Sequence, residues 1–172
     1  NRDPRMVALS KALARCGYIA VCPHFRDVAE FRIRLQTVDE IGAALDAIAD
    51  DSGLCRGGMI SIFSASFSAG ISLIAASRAG TAERVSSICG VGSYSGIESS
   101  IEFLLGRRDN DDYGRLIILK NFVHCLHDYS DSFYRALHEG ILDNGLKRDV
   151  PVMPEIMKTL PVGERVELFM LI

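Results

Sequence analysis

The sequence predicts an α/β fold: a parallel sheet with helices on both faces, a three-layer sandwich, followed by a helical lid or cap. Three observations carry this expectation. Up to about residue 95, helical periodicities alternate with short apolar, β-branched runs. Their order is helix, strand, helix, strand, helix, strand, which means βαβ units with right-handed crossovers. Beyond about Tyr94 no strand pattern recurs, and the apolar residues fall at helical spacing. The expected organisation is therefore a core over residues 1–95 and a helical cap over 96–172.

The elements follow in order. Met6, Leu9, Leu13 and Ala14 share a helical face that stops at Cys16-Gly17, where Gly suits a helix C-terminus. Tyr18-Ile-Ala-Val-Cys22, closed by Pro23, predicts a buried strand. His24 to Leu35 is mixed and loop-like. Thr37 then predicts a helix cap, with Glu40 at capping-box spacing and Ile41, Ala44, Leu45 and Ile48 on one face. Gly57-Gly58 opens a second strand over Met59 to Phe63, and a turn at Ser64 to Ser68 leads into a small-residue helix over Ala69 to Ala79. Arg84 to Gly90 predicts a third strand. Ile97 to Leu105, Leu116 to Leu126, Ser132 to Leu142 and Glu164 to Ile172 predict helices, with a charged loop at Arg107 to Asp112 and a connector at Gly145 to Pro154.

Composition limits the classes of function. The chain has 172 residues, 48% hydrophobic and 24% charged, enough for one domain with a core. A net charge of −3, with both signs mixed along the chain, gives no electrostatic reason to expect nucleic acid or an anionic membrane as partner. No apolar run reaches the roughly 18 residues needed to span a bilayer. The start, Asn-Arg-Asp-Pro-Arg, has neither a signal-peptide core nor an initiating Met, so the chain is expected to begin inside a longer product. Cys16, Cys22, Cys55, Cys89 and Cys125 are odd in number and lack CxxC spacing; they are expected to be reduced core residues of a cytoplasmic protein.

The stretch that carries chemistry is Ile62-Phe-Ser-Ala-Ser-Phe-Ser-Ala-Gly70. An apolar strand, a serine flanked at two residues on either side by small side chains, and a small-residue helix form the context of a nucleophile elbow. Ser66 is the candidate nucleophile, with Ser64 and Ser68 in the small positions. Gly70 is expected to let the helix pack closely on neighbouring strands. The bland alternative is a serine-rich turn that merely caps the following helix.

On these residues the chain resembles the α/β-hydrolase superfamily over about residues 1–106, and within it bacterial hydrolases of the dienelactone-hydrolase and esterase type. Arg5 to Pro23 looks like the helix and strand that follow the oxyanion loop, and Ser66-Phe-Ser-Ala-Gly70 looks like the elbow. Most members have Gly where Ser64 and Ser68 stand, a departure that tolerates the strained turn less well. The resemblance implies a Ser-His-acid triad, acyl transfer through a serine ester, no cofactor, and a small-molecule acyl or ester substrate. It also implies that the Phe67 N–H is one oxyanion donor and that the second donor, the acid and the base lie outside this chain. Missing strands would leave sheet edges, which a homo-oligomer could cover.

Other candidates are weaker. His124 and His127, at i and i+3, could face one side of a helix as metal ligands or supply a triad base, but lack the Glu of HExxH; no metal site is expected. His138 reads as structural, and His24 as a pocket-edge residue on the wrong side of Ser66 in chain order. Asp109-Asn-Asp-Asp112 lacks EF-hand spacing. Phe103, Leu104, Phe122 and Phe133 fit either an apolar substrate group or packing. Gly90-Val-Gly92 hints at a nucleotide phosphate site, without the third Gly. A non-catalytic hydrolase-like binding domain is the principal alternative to the enzyme.

Overall fold

The structure, a computed structural model, describes residues 3–106 and 111–172. Contacts divide the chain after Ser95 into two compact units.

The first unit begins with α1 (Pro4–Arg15), where the Asp3 side chain accepts from the Arg5 N–H at 2.8 Å and Pro4 fills the first helical position. A short α2 (Arg26–Ala29) precedes α3 (Leu35–Asp50). The cap predicted at Thr37 is corrected: the helix starts at Leu35 and swallows Thr37, whose buried hydroxyl has no hydrogen-bond partner among the described residues. Then come β1 (Ile60–Ala65), α4 (Phe67–Ala76), a 3-10 turn at Ala82–Arg84 and β2 (Val85–Val91). The strands are parallel, with Ile62 opposite Ile88, Ser64 opposite Gly90 and Ala65 opposite Val91. The core is Val38 and Ile41 of α3 against Ile71 and Ala75 of α4, with Phe25, Leu45 and Phe67 packed around them.

The expected three-layer sandwich is not what forms. The structure is 61% helical, with one two-stranded sheet among the described residues. Tyr18 to Cys22 has strand-like composition but joins neither strand of the sheet, and runs as irregular chain with Tyr18, Ile19 and Val21 exposed. Helices α3 and α4 pack on the sheet, while Phe63 and Val91 are exposed on it. Half-buried and exposed residues alternate along β1, the mark of a sheet covered on one side only. The cysteines are also corrected. All five are free, and none is buried: Cys89 lies exposed on β2.

The second unit comprises α5 (Ile97–Gly106), α6 (Asp112–Phe122), a 3-10 turn at Val123–Cys125, α7 (Asp131–Leu146), α8 (Met153–Thr159) and α9 (Val162–Leu171). Helix α7 packs against α6 and α8 around fully buried Val123, Phe133, Leu137, Ile141 and Leu168. The helix ends are tied by side chains. Ser130 caps α7, and Glu164 of α9 accepts from the Ser130 N–H at 2.8 Å and its hydroxyl at 2.6 Å. Asp143 accepts from the Val152 and Met153 N–H groups, each at 2.8 Å, and from Arg148 at 2.9 Å. Buried Arg115 donates to the Leu104 carbonyl at 3.0 Å and the Ile172 carbonyl at 2.7 Å. These bonds meet the carbonyl and amide groups that helix ends leave over. Among the described residues, no helix is long and apolar enough to cross a membrane.

Candidate functional site

Ser66 stands at the junction of β1 and α4 with φ 53° and ψ −136°. A side chain in this region of backbone space costs about 1–3 kcal/mol, a strain that persists only where the surroundings hold it. Here they do. The Ser66 N–H donates to the Val91 carbonyl at 2.7 Å, extending the β1–β2 ladder beyond the strand, and its carbonyl accepts from Ala69 at 3.0 Å. The chain is thus pinned as a strand on one side of Ser66 and as a helix on the other. The side chain is thrown out of the turn, and Ser66 is exposed.

The capping alternative fails on geometry. Ser66 occupies the N-cap position, but its hydroxyl accepts no hydrogen bond from the helix. Asp3 and Ser130, which do cap α1 and α7, have ordinary extended backbone. The strained φ at Ser66 leaves the hydroxyl unspent, and among the described residues no hydrogen bond engages it.

The neighbours fill the roles their size permits. Ser64, opposite Gly90, is turned inward; its hydroxyl is buried with no hydrogen-bond partner among the described residues. Ser68 is half-buried in the first turn of α4. The Phe67 N–H opens α4 and has no acceptor among the described residues. Amides at the first turn of a helix carry the positive end of its dipole, so this one is suited to an anion at Ser66.

The Tyr94 ring comes closest to Gly70: its atoms are the three nearest to where a Cβ would stand. A Cβ at Gly70 would lie 2.2 Å from Tyr94 Cζ and 2.6 Å from its Oη. Gly92, at φ 65°, turns the chain just past β2 and returns Tyr94 over α4, where its ring lies 6.2 Å from that of Phe67. Burial pushes the Tyr94 phenol above its usual pKa. Tyr94 was not among the sequence candidates. The available signal was position alone: it follows the carboxyl end of a strand in a parallel sheet, where ligand sites gather.

The other candidates disperse. His24 lies exposed in the segment between α1 and α2. The expected helical pairing of His124 with His127 does not form: α6 ends at Phe122, His124 sits in the 3-10 turn, and His127 lies beyond it with its ring edge-on to Tyr129 at 5.2 Å. His138 Nδ1 is 3.3 Å from Lys120 Nζ. No cluster of three or more His, Cys, Asp or Glu able to hold a metal occurs among the described residues. Asp109 and Asn110 of the acidic run lie outside the described residues, as does most of the expected charged loop. Gly90 and Val91 of the Gly90-Val-Gly92 run are part of β2, opposite Ser64 and Ala65, and Gly92 alone stands in the turn beyond the strand. Phe133 belongs to the helical core, whereas Phe103 and Phe122 are exposed. No family model matches the chain, and no curated protein or solved structure matches it.

Proposed function

We propose that Ser66 is the nucleophile of a serine hydrolase acting on a carboxylic ester or related acyl substrate. The observation that carries this reading is the strained backbone of an exposed serine between a parallel strand and a helix, with its hydroxyl unused for capping. Strain of this kind at a serine is the feature expected of a nucleophile elbow.

In the proposed reaction the Ser66 Oγ bonds to the substrate's carbonyl carbon. The carbonyl π pair moves to oxygen, and the hydroxyl proton passes to an imidazole base. The negative oxygen forms beside the first turn of α4, where the Phe67 N–H donates to it. Collapse of the intermediate expels the alcohol, which takes up the proton from the imidazolium, and leaves an acyl ester on Ser66. Water then repeats the sequence and frees the acid.

The test is treatment of the full-length protein with a fluorophosphonate probe, followed by mapping of the adduct by mass spectrometry. An adduct on Ser66 that disappears in Ser66→Ala supports the reading. A folded protein that forms none points instead to a non-catalytic binding domain.

A further inference from the structure

The proposed reaction needs two hydrogen-bond donors on the oxyanion, and the elbow supplies one, the Phe67 N–H. We propose that the Tyr94 hydroxyl is the second. This inference rests on the reading of Ser66 as nucleophile and adds to it a residue that lies well beyond the elbow in the chain.

Three observations converge on it. The phenol occupies the space over Gly70, with its Oη 2.6 Å from where a Cβ would stand. Gly70 is one helical turn beyond Ser66, and the Cα–Cβ direction in a helix leans toward the N-terminus. The phenol thus lies against α4 at Gly70, one turn into the helix that Ser66 and Phe67 begin. Second, the phenol is held there. Gly92 at φ 65° sets the turn that returns it, and the Phe67 ring flanks it at 6.2 Å with an interplanar angle of 31°. Third, the hydroxyl makes no hydrogen bond among the described residues, although a half-buried tyrosine ordinarily spends its O–H on a partner. A donor held in place without an acceptor is what an oxyanion site needs before substrate arrives. Burial raises the phenol's pKa, so the proton stays on the oxygen at neutral pH. Tyr94 keeps that proton throughout; it donates a hydrogen bond while the Ser66 proton goes to the imidazole base.

Tyr94→Phe tests this with the least disturbance, because the ring stays against Gly70 and Phe67 and the hydroxyl alone is lost. The readouts are the second-order rate of fluorophosphonate adduct formation at Ser66 and the kcat and KM for a p-nitrophenyl acyl ester, using the full-length protein. Loss of one oxyanion donor slows reaction by about 100-fold. The expected result is that loss in adduct rate and kcat, with KM and Tm unchanged. Gly70→Ala, which displaces the phenol, should slow the reaction too, and the double variant should be no slower than the slower single one. A wild-type rate in Tyr94→Phe overturns the proposal, as does a slowing that tracks a lowered Tm. If the unsubstituted protein forms no Ser66 adduct, the nucleophile reading fails and takes this one with it. A Ser66 adduct formed equally fast with and without the hydroxyl sinks Tyr94 alone.

Discussion

Replacing Ser66 by glycine should stabilise the protein while abolishing its proposed reactivity. At φ 53° and ψ −136° the serine bears a backbone strain of about 1–3 kcal/mol, and glycine adopts such a conformation freely. Against that gain stands the extra chain entropy glycine loses on folding, about 0.5–1 kcal/mol. The Ser66 hydroxyl makes no capping bond, so its removal sacrifices no hydrogen bond among the described residues. The net expectation for Ser66→Gly is a gain of about 0.5–2 kcal/mol, which in a chain of this size raises Tm by a few degrees. Ser66→Ala keeps a Cβ in the strained position and should leave stability nearly unchanged. Urea and thermal unfolding of the two variants beside the unsubstituted protein make the comparison. Ser66→Gly proving less stable than Ser66→Ala would refute the claim that the turn stores strain at this residue.

Three further outcomes follow from the packing. Ser64→Ala removes a buried hydroxyl that has no partner among the described residues, so a gain of about 1 kcal/mol in urea unfolding is expected, with probe labelling at Ser66 retained. Phe133→Ala empties a fully buried site in the helical unit and should cost about 3–5 kcal/mol; a thermal shift under one degree would show that the core is elsewhere. Burial pushes the Asp143 carboxyl up, but the Met153 and Val152 amides and Arg148 more than offset this and hold its pKa below the ordinary 3.8. A depressed carboxyl contributes stability above the unfolded pKa and loses it as pH falls through the lower folded value. Acidification from about pH 5 to pH 2 should therefore cost the unsubstituted protein more than Asp143→Asn, measured as the change in Tm.

Local chemistry was legible in the sequence; pairing and coverage were not. The runs Met59 to Phe63 and Arg84 to Gly90 gave β1 and β2 to within a residue or two, because β-branched residues between turn formers meet few alternatives. Tyr18 to Cys22 has the same composition, yet a strand exists only beside another strand, and among the described residues β1 and β2 pair with each other alone. That missing non-local term turned an expected sandwich into a mostly helical chain. Helix boundaries failed for a related reason. Thr37 has the right residue three positions before Glu40, but burial of its side chain within α3 prevailed over local capping chemistry. His124 and His127 share a face only if α6 continues, and it gives way to a tighter turn at Val123. At the site, the serine-rich turn between apolar strand and small-residue helix was readable, whereas Tyr94 was not. Its role depends on a contact with Gly70 made through the turn at Gly92, and no local pattern records such a contact.

The central claim is that the Ser66 hydroxyl is presented for nucleophilic attack, and covalent labelling tests it most directly. Full-length protein treated with a fluorophosphonate should carry one adduct, on Ser66, which Ser66→Ala and Ser66→Gly both abolish although the latter is the more stable protein. A correctly folded protein that remains unlabelled, or one labelled equally after Ser66→Ala, would contradict the account.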